Sequence, residues 1–165
     1  MSEKFSSAFD VPAGTHLRTP FNPELEEDFV GLRIGVPPVV EFRPGDVSAT
    51  EAAFTYIPVS LTYRFNVAYV IRFENIELNM AVMAVNAQTG KSYSGILEQR
   101  DVAPRQHGLE GVPRARLERL FTTSYHTFDL AEILPLPQEE ATYHIHMSLE
   151  THQSNVVTVS LRKRK

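Results

Sequence analysis

Three absences narrow what this chain can be. Cysteine is missing from all 165 residues, which excludes disulfide bridges, a thiolate nucleophile and cysteine-ligated metal centres. No stretch approaches the roughly 20 apolar residues that a membrane span needs, and the first residues carry no apolar run of signal-peptide length. We therefore expect a protein of the reducing cytoplasm, without membrane insertion or export by a standard signal.

A basic face is also missing. The formal net charge is −4, and because the last four residues, 162–165, are all basic, the rest of the chain is more acidic still. Broad nucleic-acid binding needs a basic surface rather than a basic tag. We expect the tail to be solvated, and contact with nucleic acid or an acidic partner is the alternative.

The apolar residues predict one domain built from strands. A chain of 165 residues that is 42% hydrophobic can form a single core of common size. Apolar and polar residues alternate in 58–65, as in a half-buried strand. Asn86–Gly90 is typical of a hairpin loop, with Gly90 free to adopt positive φ. The strand predictions are 36–42, 54–65, 67–73, 76–85, 91–97, 120–130, 141–149 and 156–161.

These segments predict an all-β, antiparallel sandwich of seven or eight strands over residues 31–165. Residues 1–30 are expected to form an N-terminal arm. Within it, Asn22 followed by Pro23 is typical of a helix start, with Asn22 as N-cap, so one or two helical turns are predicted there. The Pro37-Pro38 pair indicates an edge strand, since proline cannot donate to a ladder.

The segment LPLPQEEATYHIHMSLETHQSNVVTVSL resembles the closing strands of immunoglobulin-like and fibronectin type III sandwiches. In those domains a Leu-x-Pro corner precedes a tyrosine whose hydroxyl bonds back to the corner backbone. Leu134 or Leu136, Pro137 and Tyr143 would take these parts. The resemblance implies an immunoglobulin-like sandwich and carries no function with it. The absence of a cysteine pair and of tryptophan excludes an antibody-type domain.

The same segment contains a candidate metal site. On a strand, His144 and His146 share one face, roughly 6.5–7 Å apart at Cα, so both imidazoles can reach one ion. With Glu150 they resemble the core of the first cupin motif, which implies a metal-dependent jelly roll. The chain departs from that motif because Gln138 and Val157 stand where glycines are expected, and no second motif follows.

Strand pairing offers a competing prediction for these histidines. If residues 151–155 form the turn, Leu149 pairs with Val157, and Arg162 lies opposite His144. A guanidinium there opposes cation binding. We therefore expect a solvated strand face, and metal binding by His144, His146 and Glu150 is the alternative.

The longest irregular segment, 98–119, is a candidate for partner contacts. It mixes arginines with acidic residues, and long loops in compact domains are often functional. The candidate partner-binding residues are Arg100, Arg105, Arg114 and Arg116.

The sequence thus leads to three functional hypotheses. The first is a non-enzymatic module for protein interaction or assembly, without cofactor or catalytic residues, that binds another protein or self-associates through edge strands or the 98–119 loop. The second is the cupin-like metal protein or enzyme. The third is a sandwich that binds carbohydrate or lipid.

Overall fold

The computed structural model describes Gly14 and residues 16–42, 56–97 and 108–165. The fold is mostly sheet, with 44% of residues in strands and 12% in helices. The strands are β1 (Gly31–Gly35), β2 (Val39–Phe42), β3 (Pro58–Asn66), β4 (Ala81–Asn86), β5 (Ser92–Ile96), β6 (Phe121–Asp129), β7 (Ala141–Leu149), β8 (His152–Gln153) and β9 (Val157–Lys163). The helices are α1 (Val67–Val70), a 3-10 helix (Ile76–Asn79), α2 (Arg114–Leu117) and α3 (Leu130–Ile133).

Two sheets enclose one core, which confirms the predicted all-β sandwich. The smaller sheet has the order β1-β3-β6, and the larger one has the order β2-β9-β7-β4-β5, with β8 paired to β7. Every pairing is antiparallel except that of β2 with β9. The proline-flanked strand β2 lies at a sheet edge, as predicted. No helix of the described residues is long and apolar enough to cross a membrane.

Strand β3 is buried on both faces, although its alternating pattern predicted one solvent-exposed face. Val59, Leu61 and their inward neighbours lie in the core, and the outward Ser60 and Thr62 are each only 1% exposed. The N-terminal arm supplies the cover on the outer side, where the Asn22 Nδ2 donates to the Leu61 carbonyl over 2.9 Å.

The predicted helical turn at Asn22 is wrong. No helix is present in residues 16–30. The Asn22 carboxamide instead accepts a hydrogen bond from the Thr19 backbone at 2.7 Å and is 3% exposed. Its side chain therefore ties the arm to the sheet rather than capping a helix.

The hairpin prediction is confirmed, and two strand predictions near it are not. Gly90 has φ +74°, and the Asn86 Oδ1 accepts from two loop amides. Residues 67–73 begin with α1 because the Asn66 Oδ1 caps the Tyr69 amide. Residues 76–79 form the 3-10 helix, so the predicted strand 76–85 starts only at β4.

The register predicted for the C-terminal strands is wrong. Leu149 pairs with His152 of β8, and β9 begins with Val157 opposite Ile145, so Thr158 rather than Arg162 lies opposite His144. The chain turns at Glu150, whose φ is +51°. The tight turn thus comes earlier than expected, and β9 pairs with residues of β7 four positions nearer to the N-terminus than predicted.

The tyrosine corner implied by the immunoglobulin resemblance differs in detail. Tyr143 is fully buried and follows the buried Leu134 and Leu136. Its hydroxyl lies near the Asn86 side chain but makes no hydrogen bond of normal geometry to the described residues. The sandwich is established by the sheets, and the immunoglobulin-like assignment stays a prediction.

A side-chain bridge joins the two sheets at the end of β8. The Asn155 Oδ1 accepts from the Ile34 amide at 2.9 Å, and its Nδ2 donates to the Ile34 carbonyl at 3.0 Å. This amide occupies both backbone groups of a residue on the edge strand β1. It therefore closes the sandwich and blocks strand addition at that point.

Replacing Asn155 by alanine should lower the free energy of unfolding by about 1–3 kcal/mol, because two part-buried hydrogen bonds are lost and the Ile34 groups are left unpaired. Urea denaturation measures the change. The matched control is Gln153→Ala, at an exposed position of β8, which should change stability by less than about 0.5 kcal/mol. Equal stability of the two variants would contradict the bridge.

Candidate functional site

The structure does not bring the predicted metal ligands of β7 together. His144 is exposed, and its Nδ1 lies 3.0 Å from the Thr158 Oγ1. The Glu150 carboxylate accepts hydrogen bonds from the Tyr69 hydroxyl at 2.9 Å and from Arg72 at 3.3 Å. Among the described residues, His144, His146 and Glu150 do not form a group of three close ligand atoms.

The contacts of Glu150 have an electrostatic consequence for Tyr69. Burial of the phenol and its hydrogen bond to Glu150 raise the pKa of Tyr69 to about 12. The hydroxyl therefore keeps its proton at neutral pH and remains a donor to the carboxylate. Glu150 serves to hold α1 against the β7–β8 turn.

The predicted partner-binding arginines are only partly described. Arg114 and Arg116 lie exposed on α2, and the Arg114 Nε donates to the Glu118 carboxylate at 2.9 Å. Arg100 and Arg105 lie outside the described residues.

The basic tail is partly built into the larger sheet. Arg162 and Lys163 belong to β9 and pair with Glu41 and Phe42 of β2. Their side chains are exposed. Half of the tail therefore belongs to a strand that lies between β2 and β7 in the larger sheet.

A different cluster brings three potential metal ligands together. Within the part of the chain that the structure describes, His16, Glu77 and His126 form a group in which one ligand atom of each lies within 4.8 Å of the others. The three residues come from the arm, the 3-10 helix and β6.

Glu77 is the buried centre of this cluster. Its side chain is only 2% exposed. The 3-10 helix places it, because the Asn75 side chain accepts from the Glu77 amide at 3.1 Å. The Tyr63 hydroxyl donates to its Oε1 at 3.1 Å. A carboxylate this deep needs compensation for its lost hydration.

His126 reaches Glu77 from the inner face of the smaller sheet. It pairs in register with Leu61, so both side chains point toward the core. Its side chain is 4% exposed, and its Nδ1 lies 3.5 Å from the Glu77 Oε2. Nevertheless, this nitrogen makes no hydrogen bond of normal geometry to the described residues.

His16 closes the cluster from the arm. Its side chain is 49% exposed, and its Nδ1 lies 3.5 Å from the Glu77 Oε1. The rings of His16 and His126 lie 4.3 Å apart, centre to centre, with a tilt of 38°. The Gly14 amide donates to the carbonyl of Thr127, next to His126, at 2.8 Å, which holds the arm beside β6.

The arrangement suits a metal ion. Two ligand atoms bound to one ion at about 2.1 Å lie roughly 3.0–3.5 Å apart in tetrahedral or octahedral geometry. The His16 Nδ1 lies 3.5 Å from the Glu77 Oε1 and the His126 Nδ1 lies 3.5 Å from the Glu77 Oε2, so small side-chain movements would bring all three residues onto one ion. Two imidazoles and one carboxylate leave at least one coordination position for water or another ligand. A cavity of about 270 Å³ reaches the cluster and is lined by His16, Tyr63, Glu77, Thr123, Ser124 and Tyr125.

Sequence reasoning missed this cluster because its members are far apart in the chain. His16, Glu77 and His126 have no short spacing that would mark a motif. The one local signal is Glu77, a charged residue in the apolar stretch Ile76–Val85 that was predicted to be a strand.

Tyr63→Phe tests how far Glu77 depends on its neighbours. Removing the hydroxyl takes one hydrogen bond from a buried carboxylate, so the free energy of unfolding should fall by about 1.5–3 kcal/mol. Chemical denaturation measures it. Tyr125→Phe, on the outer face of β6, is the matched control and should change stability by less than about 0.5 kcal/mol. If Tyr63→Phe leaves the free energy of unfolding unchanged, the buried Glu77 carboxylate is stabilised without this hydroxyl.

Comparison with known proteins adds no relative to this picture. No protein-family model matches the chain, and no curated protein matches it at a significant level. The function is therefore inferred from the residues of the site.

Proposed function

We propose that the protein is a metal-binding β-sandwich that holds one divalent transition-metal ion on His16, Glu77 and His126. Two histidines and one carboxylate form the ligand set of open zinc sites and of non-haem iron(II) sites. The observation that carries the proposal is the buried His126 Nδ1, which lies 3.5 Å from a buried carboxylate and makes no hydrogen bond within the part of the chain that the structure describes.

A metal ion satisfies this arrangement better than an ion pair alone. An ion pair at this depth must offset the desolvation of both groups with good hydrogen-bond geometry. The His126 Nδ1, 3.5 Å from the Glu77 Oε2, makes no hydrogen bond of normal geometry to the described residues. A divalent cation between them would bind the imidazole lone pair and neutralise the carboxylate at once. The half-exposed His16 leaves a route by which the ion can enter from solvent.

The ligands favour borderline metals over Ca²⁺ and Mg²⁺. Those two hard ions prefer oxygen ligands, whereas imidazole suits zinc, iron, copper and nickel. We assign the ion a binding role and no catalytic one. Zn²⁺ is the first probe because it has no redox chemistry to complicate the measurement.

Titration calorimetry of the tag-free, EDTA-treated protein with ZnCl₂ should give one ion per chain. His126→Ala should weaken the affinity by about 100-fold, since one of three ligands is lost. Zinc at about 100 times its dissociation constant should also stabilise the fold by about 2.7 kcal/mol.

The histidine pair of β7, of which His144 is exposed and His146 is half-buried, provides the matched control. The double variant His144→Ala/His146→Ala should bind zinc as the unaltered protein does. Absence of zinc binding would overturn the proposal. Binding that is lost in the β7 variant and kept in His126→Ala would move the site to the histidines predicted from the sequence.

Interaction with another copy of the chain is the second proposal, and it continues the first hypothesis from the sequence. Leu120 and Phe121 are adjacent and are 45% and 44% exposed. The Arg64 guanidinium lies 4.5 Å from the centre of the Phe121 ring. Exposed apolar and aromatic residues beside an arginine are typical of the energetic centre of an interface.

Light scattering coupled to size-exclusion chromatography tests self-association directly. We expect a dimer population that rises with protein concentration and falls in the Leu120→Ser/Phe121→Ser variant. Val156→Ser, at another exposed apolar residue, is the control and should leave the population unchanged. A protein that stays monomeric at about 100 µM would contradict this second proposal, since weaker association is no stable interface.

A further inference from the structure

The three ligands of the proposed site differ in how firmly the fold holds them. Glu77 and His126 belong to the sandwich, and their side chains are 2% and 4% exposed. His16 belongs to the N-terminal arm and is 49% exposed. The site is therefore complete only while the arm lies against β6.

Residues 16–18 of the arm bury little apolar surface against the sandwich. The Gly14 amide bonds to the Thr127 carbonyl at 2.8 Å. Leu17 is 76% exposed, and the Arg18 side chain is 61% exposed, with its guanidinium 5.9 Å from the centre of the Tyr125 ring. Segments with little buried apolar surface open at low free-energy cost.

The next part of the arm is anchored much better. Phe21 and Asn22 are 9% and 3% exposed. The Asn22 side chain bonds to the Leu61 carbonyl at 2.9 Å and also to the Thr19 backbone. The arm is thus anchored at 19–22 by buried side chains, whereas residues 16–18, which include His16, bury little apolar surface.

We infer that the metal ion acts as a clasp: by binding His16 together with Glu77 and His126, it holds the arm against the edge of β6. This inference rests on the proposed metal site. An ion that binds His16 together with Glu77 and His126 joins the arm to the sandwich, so metal binding and arm docking must favour each other. Without the ion, residues 16–18 undock more often, while 19–22 stay in place.

The coupling gives distinct expectations for the two halves of the site. Removing His16 should leave Glu77 and His126 able to bind the ion weakly, about 10- to 100-fold below the unaltered protein. It should also abolish any effect of the ion on the arm. Removing His126 should weaken zinc binding because the sandwich then supplies only Glu77 as a ligand.

Hydrogen exchange followed by mass spectrometry on the full chain tests the clasp, with ZnCl₂ or EDTA in the buffer. In the unaltered protein, zinc should slow exchange about tenfold in the peptide that contains residues 16–18, since the bound arm opens less often. Exchange in the β7 peptide, residues 141–149, should not change. Calorimetry on the same samples reports whether zinc is bound.

Two variants complete the design. His16→Ala, at a half-exposed position where folding is not at risk, should bind zinc weakly and show no zinc-dependent protection of the arm at saturating zinc. The exposed control His144→Ala should behave as the unaltered protein does in both measurements.

The failures of the clasp and of the metal site can be told apart. If zinc binds and His126→Ala weakens it, but arm exchange is the same with and without zinc, the clasp is wrong and the metal site stands. If His16→Ala keeps full zinc-dependent protection, the clasp is also wrong. If the unaltered protein binds no zinc, both proposals fall.

Discussion

The burial of the Glu77 carboxylate is the constraint around which this end of the sandwich is organised. A carboxylate removed from water must be met by donors or by positive charge, or the fold loses several kcal/mol. Here the surrounding groups come from separate parts of the chain. The Tyr63 hydroxyl on β3 donates to the carboxylate, and the Nδ1 atoms of His126 on β6 and His16 on the arm each lie 3.5 Å from it. The same need for compensation that draws these groups together also creates a site that a cation fits.

Two asparagine side chains make long-range hydrogen bonds to the backbone of the smaller sheet. Asn22 bonds to Leu61 across 39 residues, and Asn155 bonds to Ile34 across 121 residues. Each carboxamide offers both a donor and an acceptor. Asn155 uses both on the edge strand β1, whereas Asn22 donates to Leu61 on the central strand β3. These bonds explain why β3 is covered on its outer face and why the edge of β1 is closed.

Local sequence patterns predicted most of the strands. Burial, register and side-chain bridges depend on residues far apart in the sequence and were not predicted. The strand at 58–65 and the loop Asn86–Gly90 were predicted correctly because each depends on neighbours within a few residues, whereas the burial of both faces of β3 was not predicted. Asn22 was misassigned as a helix cap, and the bridge from Asn155 to Ile34 was not predicted, since the partners lie on other strands and the same residue type also caps helices and forms turns. The strand predicted at 67–73 failed because a short apolar run fits a helical turn as well as a strand.

The contrast between the two histidine groups shows why the candidate site lay beyond sequence reasoning. His144 and His146 have the spacing of a site, but they lie on the outer face of β7, and the Glu150 carboxylate accepts hydrogen bonds from Tyr69 and Arg72. His16 and His126 are far apart in the sequence and form no motif, yet the fold brings both within 3.5 Å of one carboxylate. Ligand spacing along a chain identifies a site only when one element supplies most of it. Where the arm, a 3-10 helix and a strand each supply one ligand, the site exists only in the folded chain, and its completeness depends on the least firmly held of the three.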